Sequence, residues 1–433
     1  MAEQQRSLGF WRTWSLSAGY MIGSGIFLMP TVLAPYGLLG LSSWLITGAG
    51  AVLLALVFGN LSRRIPKVGG PYAYTREAFG EFPGFLVAWS YWISLWVGTA
   101  AITVAMVGYL GVFIPALGES FFAQIALGLV IIAMVVAINI NGMRQTGIFQ
   151  LALTVLKIIP LVAVGIAGLF YIDGGHVPDF NPSGEPPVSV LAAGAILTMW
   201  AFVGLEAATI PAGDVINPEK NIPRALILAV LIVVAIYFLS SFAVMTIVDG
   251  ATLAQSEAPF ADAAVKIWGE WAAYLIALGA VFSTLGALNC NILLGGQMPM
   301  AAAKKGVFPK AFANMNKNGT PALALVVGGI LGGGLMILNY TKGFVEAFIF
   351  MILLSTLATL LAYAGSSLAD LKFSLKDNTL TPGILAKNIV VALLAFAFSI
   401  FLAVGAGADV LIYGGLMLLA GIPVYMFSRR QNK

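Results

Sequence analysis

Two charged residues stand inside long apolar stretches of this 433-residue sequence, Lys157 and Glu206. A charge within a membrane-spanning helix costs about 2.5–3.5 kcal/mol on insertion scales, so each should have a partner or a task. Glu206 could take and release a proton during transport, or it could hydrogen-bond loose main chain nearby. Lys157 could place its ammonium where a coupling cation would otherwise bind, or it could form a static internal salt bridge.

A run of small residues, Gly23-Ser24-Gly25, interrupts the first apolar stretch. Glycines in mid-membrane weaken a helix and free main-chain groups that lipid cannot satisfy, so such a break is tolerated where it lines a cavity. The amides of Ser24, Gly25 and Ile26, at the start of the resumed helix, would present positive dipole ends suited to a carboxylate. The alternative is that the glycines allow another helix to pack closely.

The sixth apolar stretch contains a second break, where Gly204 and Glu206 follow Trp200 and Pro211 comes shortly after. Carbonyls at or before the two breaks, including those of Met21, Trp200 and Val203, would be free acceptors for an ammonium. The two breaks together predict a site for a molecule that carries both groups, such as an α-amino acid.

These breaks belong to a chain that is 60% apolar and 9% charged. Soluble domains are about 45–50% apolar and about 25% charged, so the composition predicts a membrane protein surrounded by lipid and excludes a water-soluble enzyme. One cysteine and one histidine are too few for a structural zinc site or a Cys/His nucleophile pair, and no ATP-binding phosphate loop is present. We therefore expect no metal, no cofactor, no nucleic-acid partner and no enzymatic activity.

Hydropathy predicts one transmembrane domain over residues 1–433 with twelve spans. They lie at about residues 11–36, 40–61, 83–115, 122–141, 148–172, 189–212, 225–248, 268–303, 321–340, 343–370, 385–405 and 408–428. The breaks are five spans apart, as in inverted repeats with a binding site at their interface. We therefore expect a first repeat at 11–172, a second at 189–370, and two additional helices at 385–428.

Lysine and arginine residues concentrate in the loops on the side of the chain ends, including Arg6, Lys67 and Arg144. The opposite side has Lys266 and Lys342 among mostly acidic residues. By the positive-inside rule, both termini are predicted to be cytoplasmic in a multi-pass protein of the cytoplasmic (inner) membrane.

Five motifs in order resemble the amino acid-polyamine-organocation superfamily, in particular the bacterial basic amino acid/polyamine antiporters. They are Gly23-Ser24-Gly25-Ile26-Phe27, Gly69-Gly70-Pro71-Tyr72-Ala73-Tyr74, the segment from Trp200 to Glu206, the segment from Asn217 to Pro223, and Gly319-Thr320-Pro321. The resemblance covers nearly the whole chain. It implies an all-α LeuT-type fold, with twelve helices in a 5+5 inverted repeat plus two, alternating access, and often a homodimer.

The resemblance also implies roles for individual residues. Ser24 and Gly25 would bind the substrate carboxylate, and the carbonyls of Met21, Trp200 and Val203 would accept from its amine. Trp200 would also cover the substrate as a gate. Glu206 matches a glutamate linked to pH response in the arginine/agmatine exchanger.

The side-chain pocket departs from that exchanger. The tryptophan that stacks on guanidinium there aligns with Asn291, and an asparagine of the third helix aligns with Thr99. Lys157 resembles a lysine of superfamily members that carry neutral amino acids, and a buried cation should repel a cationic substrate. Asn291 and Thr99 could alternatively serve helix-to-helix hydrogen bonding.

We therefore expect a secondary transporter, working by exchange or proton coupling, for neutral amino acids. Exchange of a cationic amino acid or polyamine is the alternative. A channel should line its path with rings of polar groups, and a sensor would bind without translocating. Both are weaker interpretations.

Overall fold

The computed structural model describes residues 8–65, 69–142, 147–172, 177–209, 215–340 and 343–431. Five residues used in the sequence analysis lie outside these ranges: Arg6, Lys67, Arg144, Pro211 and Lys342. Apart from an isolated bridge between Leu8 and Val215, the described residues form helices and their connections. The expected all-α architecture is confirmed.

The α-helices are, in chain order, α1 (Phe10–Met21), α2 (Ser24–Leu33), α3 (Gly37–Arg64), α4 (Gly70–Phe79), α5 (Glu81–Gly111), α6 (Phe121–Ile140), α7 (Gly147–Gly168), α8 (Pro187–Met199), α9 (Pro218–Ile247), α10 (Gly250–Leu253), α11 (Pro259–Trp268), α12 (Glu270–Lys304), α13 (Ala322–Tyr340), α14 (Phe344–Lys376), α15 (Pro382–Gly405), α16 (Ala408–Leu419) and α17 (Gly421–Gln431). Two 3-10 turns, Trp200–Phe202 and Leu205–Thr209, continue the line of α8.

Nine helical stretches among the described residues are long and apolar enough to cross a membrane. One of them, Phe10–Arg64, has 55 residues, more than twice the about 20 that one crossing requires. Two shorter apolar helices, Thr154–Gly168 and Ala322–Leu338, lie where the fifth and ninth spans were expected. The chain is thus a multi-pass membrane protein, and the count of twelve spans stays a prediction.

The helices differ in how much of their surface is enclosed by protein. In the most apolar window of α5, 89% of the residues are buried, whereas in that of the segment Ala408–Gln431 only 17% are. Helix α5 packs against α12 and α14, and α3 packs against α9. The centre of the bundle therefore surrounds α5, and α16 and α17 lie at its periphery with apolar side chains exposed to lipid.

Both expected interruptions are present. Helix α1 ends at Met21 and α2 begins at Ser24, while α8 ends at Met199 and its 3-10 continuation is broken at Val203 and Gly204. Gly23 has φ −138° and ψ −137°, and Gly204 has φ +97°. The glycines permit these turns in the middle of otherwise apolar helices.

Candidate functional site

A cavity of about 450 Å³, including its opening, lies between the two helix breaks. That volume includes space open to solvent, so it is an upper bound on the enclosed space. Its walls come from α1, α2, the break after α8, α5, α12 and α14. The lining residues are Tyr20, Met21, Gly23, Ser24, Gly25, Tyr91, Ser94, Leu95, Ile102, Trp200, Val203, Ala287, Asn291 and Ser355.

The first break places the amino-terminal end of α2 against the cavity. Gly23 precedes the helix, and within the described chain no side chain caps its first amides. A Cβ at Gly25 would lie 2.9 Å from the Cα of Ala201 and 3.1 Å from Cδ1 of Trp200. Glycine is therefore required at position 25 for α2 to approach the second break this closely. Gly25 thus both allows close helix packing and lines the cavity.

The second break depends on Gly204 and on the ring of Tyr20. A Cβ on Gly204 would lie 1.8 Å from Cδ1 of Tyr20, so the tyrosine ring occupies the space that a side chain would need. The hydroxyl of Ser17 on α1 donates to the carbonyl of Leu205 at 2.9 Å. Contacts from α1 thus hold the main chain at Gly204 and Leu205.

The carbonyl of Met21 already has a donor partner. The hydroxyl of Tyr237 on α9 donates to it at 2.7 Å, and the same hydroxyl lies 3.4 Å from the carbonyl of Ala201. A carbonyl oxygen has two lone pairs, so Met21 retains one acceptor position for a substrate ammonium. Tyr237 thereby orients both breaks from a helix that the sequence analysis did not connect with the site.

Trp200 extends across the cavity from α2 to α5. Its Cδ1 faces Gly25, and a Cβ on Gly98 would lie 3.0 Å from its Cη2. The side chain is buried, and among the described residues its indole N–H has no hydrogen-bond partner. This position suits a group that covers a bound molecule.

We expect Gly98→Ala to impair transport because the new methyl group would press on the edge of Trp200. Overpacking costs about 1–3 kcal/mol, which corresponds to about a 5- to 150-fold change. Initial exchange rates in proteoliposomes measure the effect. Gly111→Ala, on the same helix with open space around it, is the control and should leave the rate unchanged. Equal rates for the two variants would contradict the placement of Trp200.

Asn291 connects three elements at one wall of the cavity. Its amide donates to the carbonyl of Leu95 and, at 3.1 Å, to the hydroxyl of Thr99, while its Oδ1 accepts from the hydroxyl of Tyr20 at 3.0 Å. Thr99 does not line the cavity but lies behind Asn291, and the side chain of Ile26 is also outside the lining. Met21, Ser24, Gly25, Trp200, Val203 and Asn291 do line it.

Glu206 is fully buried one hydroxyl group away from the cavity. Its Oε1 accepts from the hydroxyl of Tyr91 at 2.7 Å, and its Oε2 accepts from the hydroxyl of Tyr363 at 2.8 Å. Tyr91 itself lines the cavity. The carboxyl group can therefore act on a bound molecule through Tyr91. Sequence reasoning missed both tyrosines, although a tyrosine buried in an apolar helix usually has a partner for its hydroxyl.

Lys157 is not among the residues that line the cavity. Its ammonium donates to the carbonyl of Gly19 on α1 at 3.1 Å, and its end lies 3.2 Å from the Cβ position of Gly286 on α12. Lys157 thus lies between α7, α1 and α12 and is absent from the cavity lining. The structure thus shows Lys157 bound to main chain next to the lining residue Tyr20 and in no direct contact with the cavity.

The second half of α2 is covered by α11 and the segment before it. Thr31 donates to the carbonyl of Ser256 at 2.9 Å, and Phe27 packs edge-on against Phe260. The hydroxyl of Ser256 also bonds Asp262, and burial raises the pKa of that carboxyl above its usual value. These contacts hold α11 and the segment before it against α2.

A family model for amino acid permeases matches residues 8–414. The chain is 33% identical to a provisionally named arginine/ornithine antiporter of Bacillus subtilis, over 98% of this chain and 97% of that protein. It is 29% identical to a putrescine transporter of Haemophilus influenzae, over 99% and 98% of the two chains. It is 32% identical to a cadaverine/lysine antiporter of Escherichia coli, over 77% and 75%.

These relatives do not support the expectation of a neutral amino acid. All three carry names of basic amino acids or diamines. The expectation rested on Asn291 standing where a tryptophan stacks on guanidinium, and on the buried charge of Lys157, whose ammonium is bound to the carbonyl of Gly19. The alternative of a cationic substrate fits the relatives better.

Proposed function

The chain belongs to the amino acid permease family and is a membrane transporter, and from that premise we propose that it is a secondary antiporter for basic amino acids and diamines. One observation carries the proposal: two interrupted helices face a single cavity, and a buried carboxyl group lies one hydroxyl away from it. Broken helices supply main-chain partners for both ends of an amino acid. The buried carboxyl group supplies a negative charge for a cation.

The carboxylate of an amino acid substrate fits the uncapped amides at the start of α2. Ser24 and Gly25 are at this end, and the hydroxyl of Ser24 adds a further donor. A diamine has no carboxylate, so water would take its place at these amides. An antiporter for amino acids and diamines needs a contact that can be made either by a carboxylate or by water. Main-chain amides can donate to both.

The ammonium groups of the substrate fit the acceptors on the other walls. The carbonyl of Met21 and the region of Val203 lie at the breaks, while Ser94 and Ser355 lie opposite. The indole of Trp200 offers an aromatic face to a cation. We assign the proton-linked step to Glu206: ionised, it favours a cationic substrate through Tyr91, and protonated, it favours release.

Four further features complete the proposal. The segments 11–172 and 189–370 form the inverted repeats, followed by two helices at 385–428. Both termini lie in the cytoplasm, since lysine and arginine residues concentrate on their side. The exchanger forms a homodimer in the cytoplasmic membrane. Lys157 holds α7 to α1 and α12 in place of a coupling sodium ion.

Exchange is tested by loading proteoliposomes with ornithine and measuring uptake of labelled putrescine or arginine. We expect internal ornithine to stimulate uptake by about tenfold or more over empty vesicles, since an antiporter returns quickly only when loaded. Replacing sodium by potassium on both sides should leave the rate unchanged. Vesicles without protein are the control.

Uptake that is equally fast into empty vesicles would contradict antiport and favour a channel or a uniporter. A requirement for a sodium gradient would contradict the role given to Lys157. Stimulation by internal leucine or alanine in place of ornithine would contradict the substrate class.

A further inference from the structure

A second buried carboxyl group, Asp370, lies near the carboxyl end of α14 and takes no part in the substrate site. Its side chain is 0% exposed. Its Oδ2 accepts from Nδ2 of Asn60 on α3 at 3.2 Å. The same amide nitrogen lies 3.3 Å from Oδ1 of Asn388 on α15. Asp370 and the two asparagines thus join three helices at one end of the bundle.

The other oxygen of Asp370, Oδ1, is buried and has no hydrogen-bond partner in the part of the chain that the structure describes. An ionised carboxylate with an unpaired oxygen is costly to bury, and the neutral acid costs far less. The two protonation states also differ in their bond to Asn60, because a bond to an ionised acceptor is roughly twice as strong as a neutral one. The strength of the contact between α3 and α14 therefore depends on whether Asp370 holds a proton.

Helix α14 connects Asp370 with Glu206. Tyr363, whose hydroxyl bonds Glu206, is seven residues before Asp370, which is two turns and about 10 Å along the same helix face. Ser367 lies between them and donates to the carbonyl of Tyr363 at 2.9 Å. One helix thus carries Asp370 itself and the tyrosine that bonds Glu206.

The charged groups near Asp370 do not neutralise it directly. Arg64 of α3 bonds Ser374 at 3.3 Å and pairs with Asp377 at 3.4 Å. Lys372 of α14 donates to the carbonyl of Ala78 on α4. On the other packed elements, Arg76 of α4 faces Glu81 of α5, and Lys387 beside Asn388 on α15 is exposed.

We infer that Asp370 is a second proton-binding site, distinct from Glu206, and that its protonation weakens the contact between α3 and α14 at this end of the bundle. The proton comes from the aqueous phase at the Arg64 end and is held on Oδ1. Asp370 touches no cavity residue, so it is a positioning residue that affects the rate of opening rather than substrate affinity. The inference goes beyond the proposed substrate exchange.

The test measures labelled ornithine exchange between about pH 5 and pH 9, with KM and maximal rate determined separately. Occupancy of a single proton site changes by up to about tenfold per pH unit. In the wild type, the maximal rate should therefore fall as the pH rises. Asp370→Asn mimics the neutral acid, so its maximal rate relative to the wild type should rise with pH, while its KM should equal that of the wild type at each pH. Asp370→Glu retains a titratable group and should restore the pH dependence.

Ser374→Ala, which removes a contact of Arg64 and leaves Asp370 intact, is the matched control and should follow the wild type. A constant ratio between Asp370→Asn and wild-type rates at every pH would overturn the inference. So would loss of exchange in both the Asn and the Glu variants, since it would indicate a purely structural role. Absence of ornithine exchange by the wild type would instead contradict the proposed function.

Discussion

Gly204→Ala should reduce exchange by about 100-fold or more, because misplacing a binding group by about 1 Å can cost that factor. Gly204 has φ +97°, a conformation that strains any residue with a side chain by about 1–3 kcal/mol. The added methyl group would also fall within the ring of Tyr20. Either the turn changes or Tyr20 moves and loses its bond to Asn291, and both changes deform the cavity.

Initial rates of ornithine exchange, corrected for the amount of protein reconstituted, measure this effect. Gly415→Ala is the control, because this glycine lies on α16 with open space around its Cβ position. The control should exchange at the wild-type rate. Exchange by Gly204→Ala within about threefold of the wild type would show that the second break is not a rigid part of the site.

Glu206→Gln should remove the pH dependence of substrate affinity while keeping the affinity that the wild type has at acid pH. Glutamine resembles the protonated acid, and its amide oxygen can still accept from one of the two tyrosine hydroxyls. In the wild type, the affinity for a cation should rise with pH as Glu206 loses its proton, by up to about tenfold per pH unit. The variant should show less than about twofold change over the same range.

Binding of labelled ornithine to purified protein across the pH range gives the affinities directly. Tyr363→Phe is the matched variant, since it removes one hydrogen bond to Glu206 and leaves the carboxyl group able to titrate. It should retain a pH-dependent affinity. A Glu206→Gln profile with the same slope as the wild type would remove Glu206 as the proton site.

The sequence was sufficient to predict the helix breaks, because their signals are local. Gly23, Gly25 and Gly204 weaken otherwise apolar helices, and this effect can be recognised from the neighbouring residues alone. The distance of five spans between the breaks then predicted that they meet. The structure places both at one cavity.

The sequence was insufficient for the direction in which side chains point. Lys157 was predicted to stand in for a coupling cation or to form a salt bridge, and the partner that the structure shows, the carbonyl of Gly19, could not be identified from the sequence. Thr99 was taken as a lining residue, yet it accepts from Asn291 behind the wall. Tyr91 and Tyr363 come from distant helices, and their meeting at Glu206 depends on tertiary packing that no local pattern encodes.

Counterflow of labelled ornithine in proteoliposomes, challenged with a panel of unlabelled competitors, tests the central claim most directly. The panel holds arginine, lysine, putrescine and cadaverine on one side, and alanine, leucine and threonine on the other. We predict competition by the basic amino acids and diamines, and none by the neutral amino acids at the same concentration. Competition by neutral amino acids, with none from the diamines, would contradict the assignment of this cavity to cations.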